Sequence, residues 1–190
     1  MKKLLILCVM LVALGCIGCG KDNNSNNYEE DCKNVVNTID EMNKKSIVMG
    51  DTLTMIWNKS GPDHVMDILA DLSNFDCSKD YIYRSAGYVE YVKSKFELSD
   101  EETIQLCKNY QDALKGINEI REKAKEEIHK LKEDYGDKDI SALKEYYAES
   151  DSFLDFVLKP SGNYQNYSAQ YEETKNNLTK LKKEAELDSL

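Results

Sequence analysis

Apolar residues in this chain return at alternating intervals of three and four. Between residues 28 and 59, Cys32, Val35, Ile39, Met42, Ser46, Met49, Leu53 and Ile56 step by 3, 4, 3, 4, 3, 4 and 3, with Ser46 the only polar member. A mean step of 3.5 puts all of them on one stripe of an α-helix, whereas a half-buried strand needs a step of two. The spacing predicts a helix roughly 46 Å long at 1.5 Å per residue. A stripe of that length has to be covered by other stripes, so the question is whether the chain supplies them.

It supplies three more. Ser99-Asp100-Glu101-Glu102 has the form of a capping box, and Cys107, Tyr110, Leu114, Ile117, Arg121, Ala124, Ile128, Leu131 and Tyr135 follow at helical spacing up to Gly136, with Arg121 the one lapse. Ile140, Leu143, Tyr147, Ser150, Leu154 and Val157 make the next stripe, which must stop before Pro160. Tyr164, Tyr167, Tyr171, Thr174, Leu178, Leu181 and Ala185 make the last. Ser60-Gly61-Pro62 breaks the first helix and opens a short one through Val65, Ile68, Leu69 and Leu72. Tyr81 to Phe96 reads as a further helical piece after a loop near Asp76 to Asp80. The expected fold is all-α: an antiparallel bundle of long helices with coiled-coil-like seams, forming a single domain over residues 28–190.

The first twenty residues, MKKLLILCVMLVALGCIGCG, follow a different logic. Lys2 and Lys3 precede an apolar run from Leu4 to Leu14, too short for a span, which needs about 20 apolar residues. Leu14-Gly15-Cys16 and Ile17-Gly18-Cys19 each place glycine before cysteine. This resembles the lipobox of bacterial lipoproteins, in which a signal peptidase cuts before a cysteine that already carries diacylglycerol. The resemblance implies a signal peptide within residues 1–18 and lipidation of Cys16 or Cys19. The residues before Cys16 fit the apolar-then-small pattern better and favour it. The polar run Lys21 to Asn27 after Cys19 fits a tether over residues 19–27, and both cysteines stay open. A redox CxxC would instead open a helix of an α/β domain. An acylated cysteine would anchor the chain to the extracytoplasmic face of the cell membrane without a span, since each buried CH₂ contributes about 0.8 kcal/mol.

The sequence carries 25 Lys and Arg against 35 Asp and Glu; without Lys2 and Lys3 the balance is 23 against 35, or −12. That charge repels polyanions and excludes nucleic acid as a partner class. The stretch LDFVLKPSGNYQNYSAQYEE from Leu154 to Glu173, with TMIWNKS in the first helix, is similar to a group of small helical lipoproteins of low-GC Gram-positive bacteria with no established activity. Pro160, Ser161, Gly162, Tyr167 and Ser168 carry the likeness. It implies architecture and location, and no activity, cofactor or catalytic residue.

Chemistry-bearing residues are few. Glu126 and His129 form Glu-x-x-His, the pair that holds a metal in di-iron bundles, but a second such pair is missing because His64 has Gly61 three residues before it. A solvated helix face is the preferred reading, with a metal-binding bundle the lesser alternative. Cys32 and Cys107 lie on seams and are expected as small buried apolar side chains. A Cys32–Cys77 bridge is disfavoured, because the chain between them climbs the whole first helix and returns only part of the way. No nucleophile–base pair, P-loop or G-x-G-x-x-G occurs, so no enzyme and no cofactor is expected. Trp57 with Tyr164, Tyr167 and Tyr171, faced by Tyr146 and Tyr147, is the candidate interaction surface, against the commoner role of such aromatics in packing. The expected function is therefore a non-enzymatic, lipid-anchored interaction or scaffold module with an envelope protein as partner. A solute-binding lipoprotein is the alternative, weakened by the lack of two α/β lobes.

Overall fold

A computed structural model describes residues 24–60, 64–77 and 88–188. Among them lie seven helices and no strand: α1 (Asn24–Ser60), α2 (Val65–Asn74), α3 (Tyr88–Phe96), α4 (Asp100–Leu114), α5 (Ile117–Asp134), α6 (Ser141–Leu158) and α7 (Tyr164–Leu187). The fold is the expected all-α bundle. α1 starts four residues before the expected boundary, so 24–27 are helical. That segment contains neither glycine nor proline, and a helix held by packing further along propagates into it with little resistance.

α1 is the spine, touching α2, α4, α5, α6 and α7. Its partners along the chain reveal the directions. Tyr135 at the end of α5 meets Asp31 and Tyr28 near the start of α1, so α4 and α5 run back antiparallel to it. Tyr28 meets Asp139 just before α6, and Asn43 farther along α1 meets Tyr146 and Ser150 farther along α6, so α6 runs parallel to α1. Asp51 meets Tyr171 and Asp40 meets Lys182, so α7 returns antiparallel. The result is an up-down-up-down bundle in which α1 and α6 lie side by side and α4–α5 and α7 flank them. α2 and α3 pack against each other and against α4 at the far end.

Most positions of the stripes are buried, while Leu114, Arg121, Tyr147, Tyr164 and Thr174 are half-buried. Cys32, Ile39, Met42, Leu53 and Ile56 of α1 are sealed, as are Ile68 and Leu72 of α2 and Leu154 of α6. Ser46, the polar member of the first stripe, is also sealed and donates from Oγ to the Met42 carbonyl at 2.9 Å. At the α1–α6 seam Asn43 Nδ2 donates to Tyr146 Oη at 3.0 Å and Ser150 Oγ at 2.8 Å, while Ser150 donates to the Tyr146 carbonyl at 2.7 Å. A buried amide met by two hydroxyls holds one register of α6 on α1, because sliding by a turn takes both acceptors away from the Asn43 amide. The capping box is present: Ser99 Oγ accepts from Glu102 N at 3.2 Å and Glu102 Oε2 accepts from Ser99 N at 2.7 Å.

Two features depart from the sequence reading. The expected single helix from Ser99 to Tyr135 is broken at Lys115 and Gly116, where Gly116 has φ +71°. Glycine takes this left-handed turn without the strain a Cβ brings. Lys45 of α1 donates to the freed carbonyls of Asp112 at 2.6 Å and Lys115 at 3.1 Å. Arg121, the lapse in the seam, bridges α5 to α6 by donating to Asp151 and, at 3.1 Å, to Asp155. Arg121→Met is expected to lower stability by about 1 kcal/mol, because the flank is partly exposed and the two carboxylates, one turn apart, lose their shared cation. Urea unfolding at two salt concentrations checks this: the loss should shrink as salt screens the pair.

Candidate functional site

The antiparallel register of α1 and α7 brings the four aromatic candidates together. Trp57, one turn before the end of α1, sits 6.4 Å from Tyr164 and 5.2 Å from Tyr167 between ring centroids. Tyr167 stacks on Phe156 at 4.5 Å and on Tyr171 at 6.2 Å, and Tyr171 stacks on Phe153 at 5.6 Å. Steps of three and four along α7 put Tyr164, Tyr167 and Tyr171 on one face, and α6 meets that face with Phe153 and Phe156 three residues apart.

This ladder is interior. Tyr167 is 1 % exposed, Tyr171 0 % and Trp57 5 %, and only Tyr164 is partly open. The expectation of an interaction surface is therefore corrected for Trp57, Tyr167 and Tyr171: large flat rings on a stripe facing two other helices bury more area as core than as a surface. Tyr146 does not face the row either, being held by Asn43 in the neighbouring seam, and Tyr147 is half-buried beside Arg121. Phe153 and Phe156 were the missing partners. Their spacing relative to Leu154 and Val157 widens the apolar face of α6, and that was the available signal.

The hydroxyls differ. Tyr171 Oη donates to Asp51 Oδ1 at 2.8 Å, with the Ile47 carbonyl at 3.0 Å. Its ring lies against Gly50, where a Cβ would stand 2.2 Å from Cε2. Tyr167 Oη and Trp57 Nε1 are buried and have no hydrogen-bond partner among the described residues. Burial pushes both phenols well above their ordinary range, and for Tyr171 the nearby Asp51 carboxylate adds to it. Tyr171→Phe is expected to cost about 2 kcal/mol, since it removes a bond to a charged acceptor, whereas Tyr167→Phe is expected to be neutral or stabilising by about 1 kcal/mol. Equilibrium unfolding of the two variants side by side measures that contrast; equal losses would contradict it.

The remaining candidates are scattered. Glu126 and His129 are exposed on α5, and His129 Nδ1 faces Glu133 Oε1 at 3.6 Å rather than Glu126. Among the described residues no group of three His, Cys, Asp or Glu side chains is placed to hold a metal. Cys16 and Cys19 lie outside the described residues. Cys32 and Cys107 are buried and Cys77 is half-buried, and no disulfide joins any two of the three. On the outer side of α6 and α7 an open groove is lined mainly by polar side chains, among them Glu149, Asn166, Gln170, Glu173, Asn177 and Lys180, with Ala169 beside them. No helix among the described residues is long and apolar enough to cross a membrane.

Comparison with known proteins found no family model that matches this chain, no matching curated protein and no matching solved structure.

Proposed function

We propose that this chain is a lipid-anchored protein of the cell envelope, on the extracytoplasmic face of the membrane, that acts by protein contact rather than by catalysis. The leader supports the anchor: a basic pair, a short apolar run and glycine–cysteine sites at Cys16 and Cys19. The observation that carries the reading is the start of α1 at Asn24. Only residues 17–23 or 20–23 separate the acylated cysteine from the helix that forms the spine of the bundle. At no more than about 3.5 Å per residue, that holds the start of the bundle within roughly 28 Å of the anchor. A body of net charge −12 is repelled by anionic lipid and favours a protein partner with a basic face. The polar groove on α6 and α7 is the surface proposed for it.

Two measurements test this. Metabolic labelling with an alkyne fatty acid in a bacterial host should mark the wild type, and Cys16→Ala or Cys19→Ala should abolish the label; a Cys16→Ala/Cys19→Ala double variant that still labels sinks the anchor. A photo-crosslinking residue at Gln170 or Asn177 should yield one adduct of defined mass in intact cells, lost in the double variant. Absence of an adduct at both positions in the anchored protein removes the contact reading.

A further inference from the structure

Cys107 is sealed on the inner face of α4, and Cys77 follows the end of α2. Between them stands Gln111, one turn beyond Cys107. Its Nε2 donates to the carbonyls of Leu72 at 2.8 Å and Phe75 at 2.7 Å, so it stitches the end of α2 to α4. Cys77 Sγ lies 3.4 Å from Gln111 Oε1 and 3.6 Å from the Phe75 carbonyl. The stitch thus draws the backbone around Cys77 onto the face of α4 that carries Cys107. Gln111 and Cys107 are four residues apart on one face of α4, so Cys77, in contact with the Gln111 amide, sits beside that face. Burial pushes the Cys107 thiol up to about 12. The third cysteine of the described residues, Cys32, lies near the start of α1 beside Tyr28.

We propose that Cys77 and Cys107 are a dithiol pair that closes to an intramolecular disulfide by exchange with a small disulfide donor, stapling the end of α2 to α4. Cys77 is the more accessible sulfur and reacts first: its thiolate attacks one sulfur of the donor, the donor S–S bond breaks, and one donor thiolate leaves. Cys107 then gives up its proton, attacks the Cys77 sulfur of the mixed disulfide and expels the second donor thiolate. Two cysteine thiols are oxidised, the donor disulfide is reduced to two thiols, and electrons and protons balance. The slow step is the second, because the buried thiol must lose its proton. The bridge closes a loop of 31 residues that contains all of α3.

The experiment is incubation of the full chain with excess oxidised glutathione under native conditions, then alkylation of remaining thiols and peptide mass mapping. The expected product is a linked peptide pair carrying Cys77 and Cys107, two hydrogens lighter than the reduced pair, with Cys32 still alkylated. The oxidised chain should melt roughly 5–10 °C above the reduced one. In Cys107→Ser, Cys77 should stop as the glutathione adduct. Should the wild type instead carry glutathione on Cys77 with Cys107 still alkylated, or link Cys77 to another cysteine, the pairing is wrong. A wild type in which both thiols are alkylated after prolonged exposure overturns it equally, since that result means neither sulfur exchanges in the folded protein.

Discussion

Gly50→Ala is expected to destabilise the protein by about 2 kcal/mol, although helix propensity alone favours alanine by about 1 kcal/mol. The packing term wins because of what occupies the space. An added Cβ would lie 2.2 Å from Tyr171 Cε2 and 2.8 Å from Cζ. The end of a flexible side chain could step aside, but this ring is fixed from three directions. Its hydroxyl is bonded to Asp51, Phe153 stacks on one side and Tyr167 lies along the same helix. Moving α7 away from α1 to make room would open contacts along the ladder, and overpacking of a filled core costs about 1–3 kcal/mol or more. Urea denaturation gives the loss directly. A double-mutant cycle with Tyr171→Leu identifies its source: on the leucine background the alanine should cost less than about 0.5 kcal/mol or become stabilising. Wild-type stability in Gly50→Ala alone would mean that the ring does not lie against this glycine.

Alkaline unfolding is expected to be early and cooperative. Burial pushes the Tyr146 phenol up to about 12, and raises Tyr167 and Tyr171 further. In the unfolded chain these phenols ionise near pH 10. Above that pH the unfolded state has lost protons that the folded state still holds, so stability is complete below about pH 10 and falls as pH rises. By pH 12 each fully buried phenol withdraws about 2.5 kcal/mol, and three of them together approach the whole stability of a domain, roughly 5–15 kcal/mol. Phenolate absorbance of the buried tyrosines should therefore rise together with the loss of helical circular dichroism. Tyr167→Phe should move the midpoint to higher pH by removing one such ionisation. Phenolates that form gradually near pH 10 while the helices persist would refute the account. The acid side is milder. Burial of Asp40 would raise its carboxyl, but Lys44 at 2.8 Å and Lys182 at 3.0 Å outweigh it and hold it low. Its contribution is present above the ordinary carboxylate range and is lost as pH falls through the folded value.

Tyr167 and Arg121 show where reading the chain alone succeeds and where it stops. The step of 3.5 that assigned Tyr167 to a helical stripe was enough to place it on the inner face of α7. Whether that face met water or another helix depended on Phe153 and Phe156 arriving from α6, a contact made at a sequence distance of 11 to 18 residues across a turn. Arg121 read as a break in periodicity because the stripe was judged one helix at a time. Its purpose lies on the neighbouring helix, in Asp151 and Asp155. Gly116 passed unnoticed for a related reason. One glycine within a helical pattern is tolerated, and what turned it into a break was its left-handed backbone together with Lys45 of α1, which donates to the freed carbonyls.

Most inner faces, the capping box at Ser99 and the all-α class were determined by the sequence alone, because they depend on local periodicity and on groups a few residues apart. Pairing was decided only in three dimensions. The parallel register of α1 and α6 follows from Asn43 finding Tyr146 and Ser150, and the fit of α7 from Tyr171 meeting a glycine. The approach of Cys77 to α4 follows from one glutamine side chain. Each is a match between residues 34 to 121 positions apart, and hydrophobic spacing carries no information about which stripe meets which. Shape and hydrogen-bond complementarity do, and they exist only once the helices have come together.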